Sequence, residues 1–191
     1  MTVVADNDMW TIKAALDWTI GFLERKGDEN SRLSAEWLMS EATGLSRIEL
    51  YVNFERPLTL DERATLRDFV ARRGKGEPLQ LISGKVPFRY ITVLVAPNVL
   101  IPRPETEVLV SEAFAELKLP RVADHVAAGE NGEEVVSPEL PELRVVDLCT
   151  GSGCIACSIA SEYPAAHVVA LDIAPEALAL AGKNVEVLGL G

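Results

Sequence analysis

Apolar positions in the first third of the chain recur at helical spacing and are separated by explicit stop signals. Ile12, Ala15, Leu16 and Leu23 lie near one helical face behind Thr11, whose hydroxyl suits an N-cap, and Gly27 is placed to end that helix. Leu33, Trp37, Leu38 and Ala42 predict a second amphipathic helix stopped by Gly44, and a short third one runs from Ser46 to about Val52. Thr59 with Glu62 forms a capping box ahead of Leu66, Phe69 and Val70, and Gly74 and Gly76 close that segment. The spacing thus predicts a helical bundle over 1–77, with Trp10, Trp18 and Trp37 on its packed faces.

From Pro78 the pattern turns β-rich. Leu79 to Ile82, a Ser83-Gly84 turn and then Tyr90 to Val95 predict a β-hairpin connector over 78–100. After the rigid Pro102-Arg103-Pro104 entry a helix is expected from Glu105 to Leu117. Residues 118–142 lose periodicity and gather prolines, glycines and carboxylates, which predicts a surface excursion. The run Leu143 to Leu148 reads as a strand, followed by a glycine turn and a helix from about Gly153 to Glu162. His167 to Leu171 makes a second strand, and Pro175 opens a helix whose stop is Gly189. Strand, glycine turn, helix, strand and acidic tip form one βαβ unit of a nucleotide-binding sheet. The fold class is α/β, with 101–191 forming the opening of a Rossmann-like domain.

Composition narrows this picture. With 48% hydrophobic and 25% charged residues the chain has the balance of a globular domain, and no window approaches the ~20 apolar residues of a membrane span. The first ten residues lack the basic start of a signal peptide, so a cytoplasmic location is expected. Cys149, Cys154 and Cys157 crowd into one short segment and predict no disulfide framework. The net charge is −11, and residues 145–191 carry five carboxylates against one lysine. Such a surface repels a phosphate backbone, which disfavours direct nucleic-acid binding and suits a cationic small molecule or a protein partner.

The informative segment is Asp147-Leu148-Cys149-Thr150-Gly151-Ser152-Gly153, followed by Asp172. Gly151 and Gly153 let a ligand approach the backbone, the following helix presents free N–H groups, and a carboxylate ending the second strand suits ribose hydroxyls. Gly151, Gly153 and Ala156 also satisfy the dinucleotide pattern G-x-G-x-x-A, so a NAD-type oxidoreductase must be weighed. Asp147 tips the balance, because a carboxylate ~4 Å from a pyrophosphate charge costs about 4 kcal/mol at an effective dielectric near 20, whereas it attracts the ammonium and sulfonium of S-adenosyl-L-methionine. A simple turn-capping role for Asp147 is the alternative.

Three segments together resemble the HemK/PrmC family, the N5-glutamine methyltransferases of peptide chain release factors. They are Asp147 to Gly153, Asp172-Ile173-Ala174-Pro175-Glu176-Ala177-Leu178, and Ile101-Pro102-Arg103-Pro104-Glu105-Thr106-Glu107. Glu77-Pro78-Leu79-Gln80 with Ile82 and Gly84 is similar to that family's approach to its hairpin. The resemblance covers nearly the whole chain, and the Pro-Arg-Pro-Glu-Thr segment is its most specific part. It implies a class I S-adenosylmethionine-dependent domain behind a helical substrate-recognition domain, acting on the glutamine of the release factor's Gly-Gly-Gln motif in translation termination. It further implies that Cys149 to Gly153, with Asp147, hold the methionine part of the cofactor and that Asp172 binds its ribose. Arg103 and Pro104 would stand beside the acceptor, although a salt bridge from Arg103 to Glu105 or Glu107 would equally explain that arginine.

Two departures from the family stand out. Cys149 occupies a position where glycine is usual, which strains the backbone if the position needs a positive φ. The family's Asn-Pro-Pro-Tyr segment, which holds the acceptor amide, would follow a fourth strand, and the sequence ends at Gly191 before it. The chain as given is therefore expected to contain no catalytic residue, to bind cofactor weakly without turnover, and to expose an apolar sheet edge that invites association.

The remaining motifs are weaker. Cys154-x-x-Cys157 has the spacing of a redox pair but reads as small buried residues on a packed helix. His125 and His167 are too few and too scattered for a zinc site. The acidic run Glu130 to Glu134 reads as solvated surface. Three function classes stand side by side: a methyltransferase, a dinucleotide oxidoreductase, and a catalytically silent module that binds a release factor through its helical bundle.

Overall fold

The computed structural model describes residues 10–118 and 141–191. The excursion expected over 118–142, with His125 and the acidic run, falls almost entirely on 119–140, outside the described residues. The chain divides into two compact units, 1–83 and 84–191.

The first unit is a helical bundle built on local capping chemistry. Helix α1 (Ile12–Arg25) starts where the Thr11 hydroxyl accepts the Ala14 N–H, and α2 (Ser31–Thr43) stops at Gly44, which takes φ +72°. Helices α3 (Arg47–Val52) and α4 (Leu60–Arg73) each carry a complete capping box, Ser46 with Glu49 and Thr59 with Glu62. Each box satisfies otherwise orphaned N–H groups at a helix start. Ile12, Leu16, Leu38, Met39, Leu50 and Leu66 share one buried cluster.

Two sequence expectations in this unit need correction. Leu79–Ser83 forms the short helix α5 rather than a strand, because Pro78 supplies the carbonyl that accepts the Leu81 and Ile82 N–H groups, and Ile82 is buried in the helical core. A proline is compatible with a helix start, where no N–H is required. Trp18 is half exposed instead of core, stacked on Phe22 at 5.3 Å and edge-on to Trp10, and Leu33 is also exposed.

The second unit opens with an antiparallel hairpin of β1 (Lys85–Phe88) and β2 (Ile91–Leu94), in register from Lys85 opposite Leu94 to Phe88 opposite Ile91. Its two-residue turn is Arg89-Tyr90, with Arg89 at φ +50°, and Gly84 precedes the hairpin rather than turning it. Helix α6 (Pro104–Glu116) has proline in its first turn. The parallel pair β3 (Leu143–Leu148) and β4 (Ala166–Leu171) aligns Leu143 with Ala166 through to Leu148 with Leu171. Helix α7 (Cys154–Glu162) connects them, and α8 (Pro175–Leu188) ends at Gly189 with φ +66°. Helix α8 packs against both α7 and β2. The architecture is mixed helix and strand, with a βαβ unit of Rossmann-like type.

Candidate functional site

The parallel register brings the C-terminal tips of β3 and β4 side by side, and the groups singled out from the sequence gather there. Asp147 is buried near the end of β3, where its Oδ2 accepts the Thr150 hydroxyl at 2.6 Å. The Thr150 N–H donates to the Leu171 carbonyl at 3.0 Å, which ties the turn to the end of β4. Asp147 therefore braces the turn through a side-chain hydrogen bond, a contact that leaves its carboxylate charge beside the glycines.

Gly151 and Gly153 have φ values of +57° and +78°, in the region that favours glycine. Gly153 is constrained twice over, because an added Cβ would lie 3.0 Å from Ala181 Cβ and 3.3 Å from its Cα. That clearance lets α8 press against the turn. At Gly151 the nearest atom to an added Cβ is Val99 Cγ1 at 3.9 Å, so only its backbone conformation calls for glycine. Cys149 is exposed and also left-handed, with φ +62°.

Asp172 closes the other side of the turn. Its Oδ1 accepts the Ala174 N–H at 2.9 Å and its Oδ2 the Gly151 N–H at 2.8 Å. These two backbone donors, Ala174 first and Gly151 second, hold the carboxyl below the usual carboxylate range. The second-strand acid is therefore a latch on the glycine turn, and it remains half-buried.

Arg103 and Pro104 sit at the start of α6. Arg103 is exposed, and among the described residues it pairs with neither Glu105 nor Glu107. Pro104 lines a cavity of about 460 Å³ together with Arg89, Tyr90, Phe114 and Glu162, a cavity that the glycine turn does not line. Burial pushes the Cys157 thiol up to about 11 and raises that of Cys154, so neither presents a ready thiolate. Among the described residues no group of three or more His, Cys, Asp or Glu could hold a metal ion, and no helix is long and apolar enough to cross a membrane.

Two polar clusters escaped the sequence reading. Arg89 forms a two-point ion pair with buried Glu162, at 2.6 Å for both Nε and Nη2, and its Nη1 donates to Ser111 Oγ and the Glu107 carbonyl. Nothing local signals a pairing across 73 residues. Asn184 is fully buried, although it stands at helical spacing from the buried Ala177, Leu180 and Ala181. An amide on that apolar face was a readable sign of an internal hydrogen-bonding role.

Comparison with known proteins gives a family. Residues 14–84 match the PrmC N-terminal domain and residues 130–190 the methyltransferase small domain. A release factor glutamine methyltransferase of Geobacter sulfurreducens is 46% identical over 179 residues, covering 94% of this chain and 55% of the relative. The protein of that name from Rhodopirellula baltica is 40% identical over 190 residues, covering 100% and 59%, and that of Escherichia coli is 34% identical over 165, covering 86% and 52%. The chain thus spans a little over half the length of the curated relatives it matches. Both domain matches, and similarity running along nearly all of its residues, place this chain in the HemK/PrmC family.

Proposed function

We propose that this chain forms the cofactor-binding part of an S-adenosyl-L-methionine-dependent enzyme that methylates the glutamine side-chain amide in the Gly-Gly-Gln motif of a peptide chain release factor. The carrying observation is the turn from Cys149 to Gly153, free of Cβ atoms at Gly151 and Gly153, with Asp147 at one end and Asp172 latched to its middle. The release-factor substrate is drawn from the names of the relatives.

The donor set fits the cofactor. Two carboxylates and no basic side chain among Asp147 to Gly153 and Asp172 suit a ligand with an ammonium and a sulfonium, and oppose a pyrophosphate. Asp147, Cys149, Thr150, Gly151, Ser152 and Gly153 would hold the methionine part and Asp172 the ribose. When bound, the cofactor supplies a methyl group made electrophilic by its sulfonium. Arg103 and Pro104 would face the acceptor. An amide nitrogen is a poor nucleophile, so the protein's contribution is orientation rather than a strong base. We assign no catalytic base to this chain, and a cytoplasmic setting follows from the substrate.

Isothermal calorimetry of the chain with S-adenosylhomocysteine, and with NADH in parallel, tests the cofactor. Heat with the former at one-to-one stoichiometry is expected; heat with NADH alone would replace this reading with a dinucleotide oxidoreductase. Tritium transfer from labelled S-adenosylmethionine to a purified release factor by the complete enzyme tests the reaction. A release factor retained by the helical unit without any cofactor dependence of either kind would instead favour a silent binding module.

A further inference from the structure

The glycine turn is held from behind by one side chain. Asn184 of α8 is 0% exposed and uses its amide in three directions. Its Oδ1 accepts the Leu94 N–H at 2.6 Å, and its Nδ2 donates to the Leu94 carbonyl at 3.1 Å and to the Ser152 carbonyl at 2.9 Å. One residue therefore joins the last residue of the hairpin strand β2 to the centre of the turn.

The Ser152 carbonyl is a consequential place to hold. Peptide planarity means that fixing this oxygen also fixes the direction of the Gly153 N–H in the same plane. That N–H donates to the Thr150 carbonyl at 2.9 Å, and Thr150 in turn contacts Asp147 and Leu171. Gly153 then takes φ +78° and α7 begins. The side chain has to be Asn. It needs one acceptor and two donors at short reach, a set that aspartate cannot donate and that leucine lacks altogether.

We infer that Asn184 is a positioning residue for the cofactor turn, setting the Ser152–Gly153 peptide plane before any ligand arrives and coupling it to the hairpin. The inference rests on reading that turn as the methyl-donor site. Asn184 touches Leu94 and Ser152, and it acts on the ligand through the turn.

The test compares Asn184→Leu with Val110→Ala, a buried substitution in α6 that lowers stability away from the turn, both well below their melting temperatures. Asn184→Leu is expected to weaken S-adenosylhomocysteine binding at least tenfold in calorimetry while stoichiometry stays at one, and Val110→Ala to leave affinity unchanged. Equal affinity in Asn184→Leu and the unsubstituted chain would overturn the inference. Native-state hydrogen exchange on the unsubstituted chain supplies a second arm that needs no variant to fold and no ligand. The Leu94 and Gly153 amides are expected to open with the same free energy, and independent openings would overturn the inference. Absence of heat from the unsubstituted chain would instead remove the methyl-donor reading, leaving exchange to decide on Asn184.

Discussion

Cys149 offers a measurable consequence of backbone strain. Its φ of +62° places a side-chain-bearing residue in the left-handed region at the mouth of the turn. For an L-residue that conformation costs about 1–2 kcal/mol. Replacing it with glycine removes this cost, while the freer unfolded chain takes back about 0.5–1 kcal/mol. Cys149→Gly is therefore expected to stabilise the second unit by about 0.5–1 kcal/mol, a rise in melting temperature of roughly 2–8 °C for a domain of this size. Cys149→Ala is the control, since it removes the exposed thiol but keeps Cβ and its strain, and its melting temperature should stay near that of the parent. Thermal unfolding followed by circular dichroism and calorimetry reads both. If the glycine variant melts no higher than the alanine variant, the strain argument is wrong.

Other expectations follow from the same geometry. Arg89→Met strands Glu162, 6% exposed, without its ion-pair partner, so urea unfolding should show a loss of about 3–5 kcal/mol, largely recovered in the Arg89→Met/Glu162→Leu double variant. Gly153→Ala should cost about 2–4 kcal/mol, because strain at φ +78° adds to a 3.0 Å approach to Ala181, whereas Gly151→Ala should cost only the strain of about 1–2 kcal/mol; equal losses would show that α8 yields. Burial works to raise the Glu36 carboxyl, but hydrogen bonds from Tyr51, Arg47 and Arg32 outweigh it and hold it below its ordinary 4.5. A depressed carboxyl adds stability that is present above 4.5 and fades as pH falls through the folded value. Acid titration of the helical unit should thus show a stability loss below about pH 4.5 that Glu36→Gln makes shallower, and an unchanged slope would reject the pairing.

What could be read beforehand was chemistry confined to a few neighbouring residues. The Ser46–Glu49 start was visible as a helix end, and the Thr59–Glu62 capping box as a pair, because each lies within one turn of the chain. The glycine turn and Asp172 were visible because a βαβ unit fixes their spacing. Leu79 to Ile82 misled because a four-residue apolar run fits either period, and burial in the helical core decided it. The Arg89-Tyr90 turn carries neither glycine nor asparagine, so nothing marked it. Arg89, at φ +50° within it, reaches Glu162 73 positions away, a contact with no local signature. The contacts of Asn184 likewise cross 90 positions to Leu94 and 32 to Ser152, beyond any local pattern.

The pair β3 and β4 is covered unevenly. Asp147 is buried near one strand end, while Val146, Leu148, Val169 and Leu171 stand 48–69% exposed in matching positions, with Ile173 at 99% just beyond. Parallel strands ordinarily have both faces shielded from water. An oily stripe of this kind is expected to draw copies of the chain together as lyotropic salt is added, since such salts strengthen apolar burial.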